Sequence, residues 1–225
     1  MSKIDRRKFL KSSMAAGMTF AVYGGSTIEQ PTGRILGANN RLRIAVAGIN
    51  GQGAGHINAW LGQENVELAY LIDPDEQVLA QRLAYVKEKT GDRFACKGVA
   101  DIRTALDDKT LDAVSIAAPN HWHSLMTIWA AQAGKHVYVE KPMSHDVLEG
   151  RVVVEAQKKY GVVIQHGTQN RSNARIAGLH ELIRAGQFGK LKISYGYCCK
   201  PRDTIGFQSP SAPPPHLDWN LWRGP

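Results

Sequence analysis

The amino-acid sequence predicts an α/β protein built on a doubly wound parallel sheet. Three observations carry that expectation. From residue 42 onward, short β-forming apolar segments alternate with segments of helical period. A glycine-rich turn joins the first strand to the first helix. A later strand, Asp112-Ala113-Val114-Ser115-Ile116-Ala117-Ala118, lacks the in–out alternation of a half-exposed strand, as suits a parallel strand covered on both faces.

The elements follow in order. Leu42–Ala47 is a strand, and a helix after the turn places Ile57, Trp60 and Leu61 at i, i+3 and i+4. Val66–Ile72 is the second strand, ending at Asp73. A helix over 77–90 puts Leu79, Leu83 and Val86 on one face and stops at Gly91. A short strand over 95–97 precedes a small helix from Asp101. Pro119-Asn120 breaks the strand over 112–118, and 121–133 is helical, with Trp122, Leu125, Met126, Trp129, Ala130 and Ala133 on one stripe and Gly134 behind it. Then come a strand over 136–139, a helix over 144–160 closed by Gly161, and a strand over 162–165. A further helix over 173–185, closed by Gly186, and a strand over 190–197 complete the reading.

Composition limits the alternatives. The 225 residues are 43% hydrophobic and 21% charged, which excludes a collagen, a coiled coil and a wholly disordered chain. Cys96, Cys198 and Cys199 have neither C-x-x-C spacing nor an even count, which argues against a disulfide scaffold and a zinc ribbon; no metal is expected. Adjacent Cys198 and Cys199 read as free thiols. No apolar run reaches the length of a membrane span. The formal charge is +8, but half of the excess lies in residues 1–40, and no basic run is interleaved with aromatics, so nucleic acid is not the expected partner.

Residues 1–34 read as a leader. Asp5-Arg6-Arg7-Lys8-Phe9-Leu10-Lys11 precedes a weakly apolar stretch over 12–22, and the pattern resembles a twin-arginine export signal with Asp5 where Ser or Thr is usual. That route carries folded proteins and implies a periplasmic or extracellular destination. A disordered basic tail is the bland alternative.

The glycine turn points to chemistry. Gly48-Ile49-Asn50-Gly51-Gln52-Gly53 follows a strand and opens a helix, and Asp73 lies 20 residues past Gly53 at the end of the next strand. This is the layout of a dinucleotide fingerprint, with Asn50 in place of the middle glycine. Gly48 permits the tight turn, a small third residue lets backbone N–H groups approach a pyrophosphate, and Gly53 permits close helix–strand packing. N–H groups at the helix start then hold the phosphate charge, Gly51 among them. Asp73 accepts hydrogen bonds from a ribose 2′-OH and repels a 2′-phosphate, and Pro74-Asp75-Glu76 supplies no arginine, so the expected cofactor is NAD rather than NADP.

Ligands of such sheets lie at the carboxyl ends of the strands. Three polar sets fall there: Asn120, His121 and His123; Glu140 and Lys141; and residues 166–171. Sharing an edge, they can converge on one bound dinucleotide.

Ala118-Pro119-Asn120-His121-Trp122-His123, followed by Ala133-Gly134-Lys135-His136-Val137-Tyr138-Val139-Glu140-Lys141-Pro142, resembles the Gfo/Idh/MocA oxidoreductase family. Gly167-Thr168-Gln169-Asn170-Arg171 and Leu217-Asp218-Trp219-Asn220-Leu221-Trp222-Arg223-Gly224-Pro225 fit its exported bacterial members, so the resemblance covers residues 35–225. It implies action on sugars, polyols or their derivatives with NAD(P). It implies that Lys141 is the catalytic lysine beside the reacting hydroxyl and that Glu140 lies by the nicotinamide. Pro142 matches the proline that shapes this corner, and Pro119, Asn120 and His123 match the loop beside the nicotinamide ribose. An ammonium about 3 Å from the substrate oxygen stabilises developing alkoxide charge or exchanges its proton. Without the surrounding motif, Glu140-Lys141 reads first as a strand-end ion pair on the surface.

The family completes its site with Asp and His in a second domain, around a D-x-x-x-H element, and this sequence departs there. One strand and five prolines between 201 and 215 do not build an interior sheet, so the expectation is a dinucleotide-binding domain over 35–165 and the truncated beginning of a substrate domain over 166–225. Ile193, Tyr195 and Tyr197 would then lie on an unpaired edge. Self-association through the C-terminal domain stays open. Neither mid-helix His180 nor His216, in a loop after Pro213-Pro214-Pro215, replaces the missing histidine. His56 is balanced between approaching the cofactor and capping the helix, His145 reads as first-turn surface, and Arg171 is balanced between substrate binding and a salt bridge.

Three functions fit these features: an exported NAD-dependent oxidoreductase of a sugar-like substrate, an NAD-dependent glycosidase that oxidises a sugar carbon transiently to permit elimination, and a non-catalytic nucleotide-binding fragment.

Overall fold

Continuous apolar strands are stable in a sheet only when both faces are covered, and the structure places them accordingly. It is a computed structural model that describes residues 41–91, 95–197, 203–204 and 206–225. The expected leader at 1–34 and the expected free thiols Cys198 and Cys199 lie outside the described residues.

The strands are β1 (Leu42–Ala47), β2 (Val66–Ile72), β3 (Lys97–Val99), β4 (Ala113–Ile116), β5 (His136–Glu140) and β6 (Ile164–Gly167). The helices are α1 (Gln52–Leu61), α2 (Glu76–Thr90), α3 (Ile102–Leu106), α4 (Asn120–Gln132), α5 (Val147–Tyr160), α6 (Ala174–Arg184) and α7 (Trp219–Arg223), with a 3-10 turn over Gln169–Ser172. The six strands pair in the order β3-β2-β1-β4-β5-β6, and every pairing is parallel. The chain thus starts in the middle, winds to one edge, returns across β1 and winds to the other. This leaves a crevice at the carboxyl ends of β1 and β4, where the order reverses.

Each face of the sheet has its own core. On β1, Ile44 and Val46 pack with Ile49, Ile57, Leu68, Leu71 and Val86 on the side of α1 and α2. Ala45 and Ala47 face the opposite layer, with Ile72, Ile102, Val114, Ile116, Trp122, Ala130 and Val139. The alternation slips once. Ile44 pairs with Leu68 but Ala45 pairs with Tyr70, so Ala69 is an extra residue on β2. Such a bulge re-aims the strand after it, and it restores Leu71 and Ile72 to opposite cores.

The helices begin where oxygen-bearing side chains meet their free N–H groups. Asp75 accepts from Gln77 and Val78 at the start of α2, Asp146 from Glu149 at α5, and Asn173 from Arg175 and Ile176 at α6. Lys135, 4% exposed, donates from Nζ to the carbonyls of Asp108 (2.7 Å) and Leu111 (2.8 Å), and burial lowers its pKa. Its role is to tie the loop before β4 to the turn before β5.

The expected strand over 190–197 is corrected. Residues 190–197, all described, form no strand, and Ile193, Tyr195 and Tyr197 are 64%, 79% and 84% exposed. β propensity yields a strand only against a partner, and the segment has none within the described sheet. The short strand shifts from 95–97 to 97–99, and α5 starts at Val147 rather than at residue 144 because Asp146 supplies the cap.

One acid test arises from this framework. Asp108 accepts hydrogen bonds from the Thr110 hydroxyl (2.7 Å), the Thr110 N–H (2.8 Å) and the Tyr70 hydroxyl (3.1 Å), with Arg43 Nη2 at 3.6 Å. The Thr110 hydroxyl leads in holding its carboxyl down to about 2, against the opposing pull of partial burial. A carboxyl depressed by folding stabilises the protein above its unfolded pKa, and the contribution is lost as pH falls through the folded one. Asp108→Ala is therefore expected to melt below the parent chain at neutral pH, the gap closing between about pH 4 and pH 2. A gap constant over that range would show that the carboxylate charge contributes nothing.

Candidate nucleotide-binding and active site

The turn after β1 is shaped by two close approaches. Gly48 has φ +76°, and a Cβ there would lie 2.4 Å from the backbone of Ala118 on the loop after β4. A Cβ on Gly53 would lie 1.8 Å from the Gly48 carbonyl oxygen, so glycine is what lets α1 press against the turn. Gly51, the residue before α1, has no atom within 4 Å of its Cβ position. The helix has no side-chain cap and no acid in its first turn. The Ala54 N–H bonds the Gly51 carbonyl (3.0 Å), the N–H groups of Gln52 and Gly53 meet no capping side chain, and the space in front of Gly51 is open, as suits an anion.

That space belongs to a cleft of about 330 Å³. Gly48, Asn50, Gly51 and Gln52 form its floor, Asp73 and Asp75 stand at the end of β2, and Pro119 marks the end of β4. Its far wall is apolar, with Ile102, Met126 and Trp129. Asp73 is 8% exposed, and its two oxygens accept from Ile49 N–H (3.0 Å) and Asp75 N–H (3.1 Å). Burial raises its pKa, against the pull of these bonds. It therefore braces the turn from the end of β2. Arg82, which sequence reasoning missed, donates to the carbonyls of Ile49 (3.1 Å) and Asn50 (2.9 Å) and holds the turn from α2.

The Glu-Lys-Pro corner sits two strands away on the same edge. Glu140 ends β5 and is 5% exposed, Lys141 is exposed, and the Lys141–Pro142 peptide is cis. His123 is 1% exposed, its Nδ1 2.5 Å from the Pro142 carbonyl oxygen and its Nε2 2.7 Å from that of Ala118. The ring ties the loop after β4 to the corner and has both nitrogens engaged. Asn120 is exposed at the start of α4. Arg171 is exposed on the 3-10 turn and lines a separate groove with Ile176, His180 and Arg184 of α6.

The turn and the corner are joined through α1. His56 Nε2 lies 3.1 Å from Glu140 Oε1, and its Nδ1 lies 2.9 Å from the Ser115 hydroxyl on β4. Gln52, one residue past Gly51, donates to the same Glu140 oxygen (3.5 Å), and Gln169 donates to that oxygen too; the Lys141 N–H donates to the other oxygen (3.2 Å). Tyr138 packs edge-on against His56, and burial, with the Glu140 charge, raises its pKa. Ser115, His56 and Glu140 have the residue types of a hydrolytic triad, but Ser115 is 1% exposed between β1 and β5, where no substrate reaches. The chain is a brace. His56 is not the cap of α1, and both its ring nitrogens are engaged in the brace; a histidine four residues into a helix carries no local signal of such a role.

A parallel sheet of this order, a glycine turn opening a helix, an acid at the end of β2 and a cleft between them define a dinucleotide-binding domain of the Rossmann type. The family model described as an oxidoreductase family with an NAD-binding Rossmann fold, Gfo/Idh/MocA, matches residues 42–168, and this chain belongs to that family. NAD is the cofactor of the domain. The open cradle at Gly51, the uncapped α1 and Asp73 fit it.

Among solved structures, the WlbA dehydrogenase from Bordetella pertussis, in complex with NADH and UDP-GlcNAcA, is 27% identical with a TM-score of 0.60 over 68% of this chain and 42% of that one. The myo-inositol 2-dehydrogenase from Lactobacillus plantarum is 25% identical with a TM-score of 0.59, over 67% and 43%. A glycosyl hydrolase family 109 protein from Shewanella sp. (strain ANA-3) is 27% identical over 85% of this chain and 45% of its own length. The chain thus spans less than half the length of the curated relatives it matches.

Proposed function

We propose that the protein is an NAD-dependent oxidoreductase of a sugar, polyol or sugar derivative, with Lys141 beside the reacting hydroxyl. The observation that carries this reading is the bridge from Gln52 and His56 to Glu140, which fixes an exposed lysine on the strand edge that holds the dinucleotide cleft. Bound NAD supplies a hydride acceptor. The chain's residues supply the rest. Glu140, anchored by His56 and Gln169, holds the Lys141 backbone through its N–H, so the ammonium has a fixed root and a free tip. From there it stabilises negative charge on the substrate oxygen and exchanges its proton. The sugar class is supported by the dehydrogenases of sugar nucleotides and inositol that share the fold.

A second reading, an NAD-dependent glycosidase, is favoured by the glycosyl hydrolase family 109 names of the curated relatives. The same lysine would assist a transient oxidation, and cleavage would proceed without net redox change. One assay separates the two. Release of free NADH on sugar addition identifies the oxidoreductase, and glycoside cleavage without NADH accumulation identifies the glycosidase. In either case Lys141→Ala is expected to abolish turnover while NAD affinity stays within about threefold, since an exposed side chain outside the cleft contributes little to binding. Equal loss of both would make Lys141 a structural residue.

A further inference from the structure

The cleft has a wall that the family domain does not supply. Leu217, Leu221 and Trp222 line it, although the family match ends at residue 168. We infer that residues 214–223 form a strap that closes the adenosine end of the cleft and sets how long a dinucleotide stays bound. This rests on the reading of the cleft as the NAD site.

The strap is fastened at both rims. On the β2 side, Leu217 forms an antiparallel bridge with Asp75, Glu76 N–H donates to the His216 carbonyl (3.0 Å), and Asp218 N–H donates to the Pro74 carbonyl (3.0 Å). The His216 ring adds a contact to the Asp75 carboxylate at 3.1 Å. On the β4 side, the Trp122 indole N–H donates to the Leu221 carbonyl (2.9 Å), and His121 Nε2 lies 3.3 Å from that of Trp222. Between the rims the segment crosses the mouth.

The end it covers is fixed by Asp73, which lines the cleft at the ribose-reading position, with the phosphate cradle at Gly51 on one side. Beyond Asp73 the lining is Ile102, Met126, Trp129 and Trp222, a surface suited to the flat face of an adenine. Trp222 stacks on Trp219 at 5.0 Å and remains 43% exposed, an aromatic plane held on the cleft side but not yet buried. A dinucleotide seated beneath it would have to part at least one rim to leave.

The test is stopped-flow displacement of NAD from the full chain, with His216→Ala, which touches Asp75 without lining the cleft, and Trp222→Ala, which lines it. Losing one such contact is expected to raise the NAD dissociation rate about five- to tenfold, with the association rate changed less than about threefold. AMP should respond in the same way. Hydrogen exchange on the unmodified chain gives a check that needs no variant: NAD should slow exchange of the Glu76 and Asp218 amides. Unchanged dissociation in both variants, or no added protection, would overturn the strap while leaving the NAD site intact. No NAD binding by the unmodified chain would overturn both.

Discussion

Gly48→Ala is expected to lower the melting temperature by about 5–15 °C and to reduce NAD affinity at least about a hundredfold. Two penalties combine at this residue. Its φ of +76° lies where a side chain costs about 1–2 kcal/mol, and the added Cβ would sit 2.4 Å from the Ala118 backbone, an overlap worth about 1–3 kcal/mol that only a shift of the turn can relieve. The sum, about 2–5 kcal/mol, corresponds to that fall in a chain of this size. Any relief of the overlap moves the floor of the cleft, so the affinity loss follows from geometry even where the fold survives. Calorimetry measures both quantities. A variant melting within about 2 °C of the parent would mean that the turn relaxes freely, contrary to the packing described.

Glu140→Ala is expected to destabilise the chain by about 2–4 kcal/mol, because it empties a buried side-chain site and leaves the buried His56 ring without its carboxylate partner. His56, Gln169, Gln52 and the Lys141 N–H all converge on its two oxygens, and the side chain is 5% exposed. Glu140→Gln keeps one oxygen for these donors and should fall between the parent and the alanine variant. Lys141→Ala, one residue on but exposed, should stay within about 0.5 kcal/mol of the parent. Urea unfolding of the three variants orders them. Equal stabilities for Glu140→Ala and Lys141→Ala would reduce the brace to a surface contact.

Much of this fold is legible in the sequence because its signals are local. The apolar strands, the glycine turn and the helix stops at Gly91, Gly134 and Gly161 each follow from the residues within a few positions of them. The bulge at Ala69 does not, since it is defined by which residues of β1 lie opposite. The same holds for the segment over 190–197, whose β propensity meets no partner strand. The site divides likewise. Its glycines and the Glu-Lys-Pro corner carry patterns, whereas His56 acquires its role from partners 59 and 84 residues away. His216, read as a loop residue, meets Asp75 across 141 residues. No periodicity encodes contacts of that range. Those of His56 follow from the crossover that brings β1, β4 and β5 side by side, and that of His216 from the return of the segment over 214–223 to the end of β2.

If the glycine turn and the Glu-Lys-Pro corner serve one bound dinucleotide, a crystal structure of the chain with NAD will show the pyrophosphate on the backbone N–H groups at Gly51 and Gln52, the adenosine ribose at Asp73, and the nicotinamide beside Glu140 and Lys141. A dinucleotide whose nicotinamide points away from β5, or one bound outside the cleft, would refute the shared site.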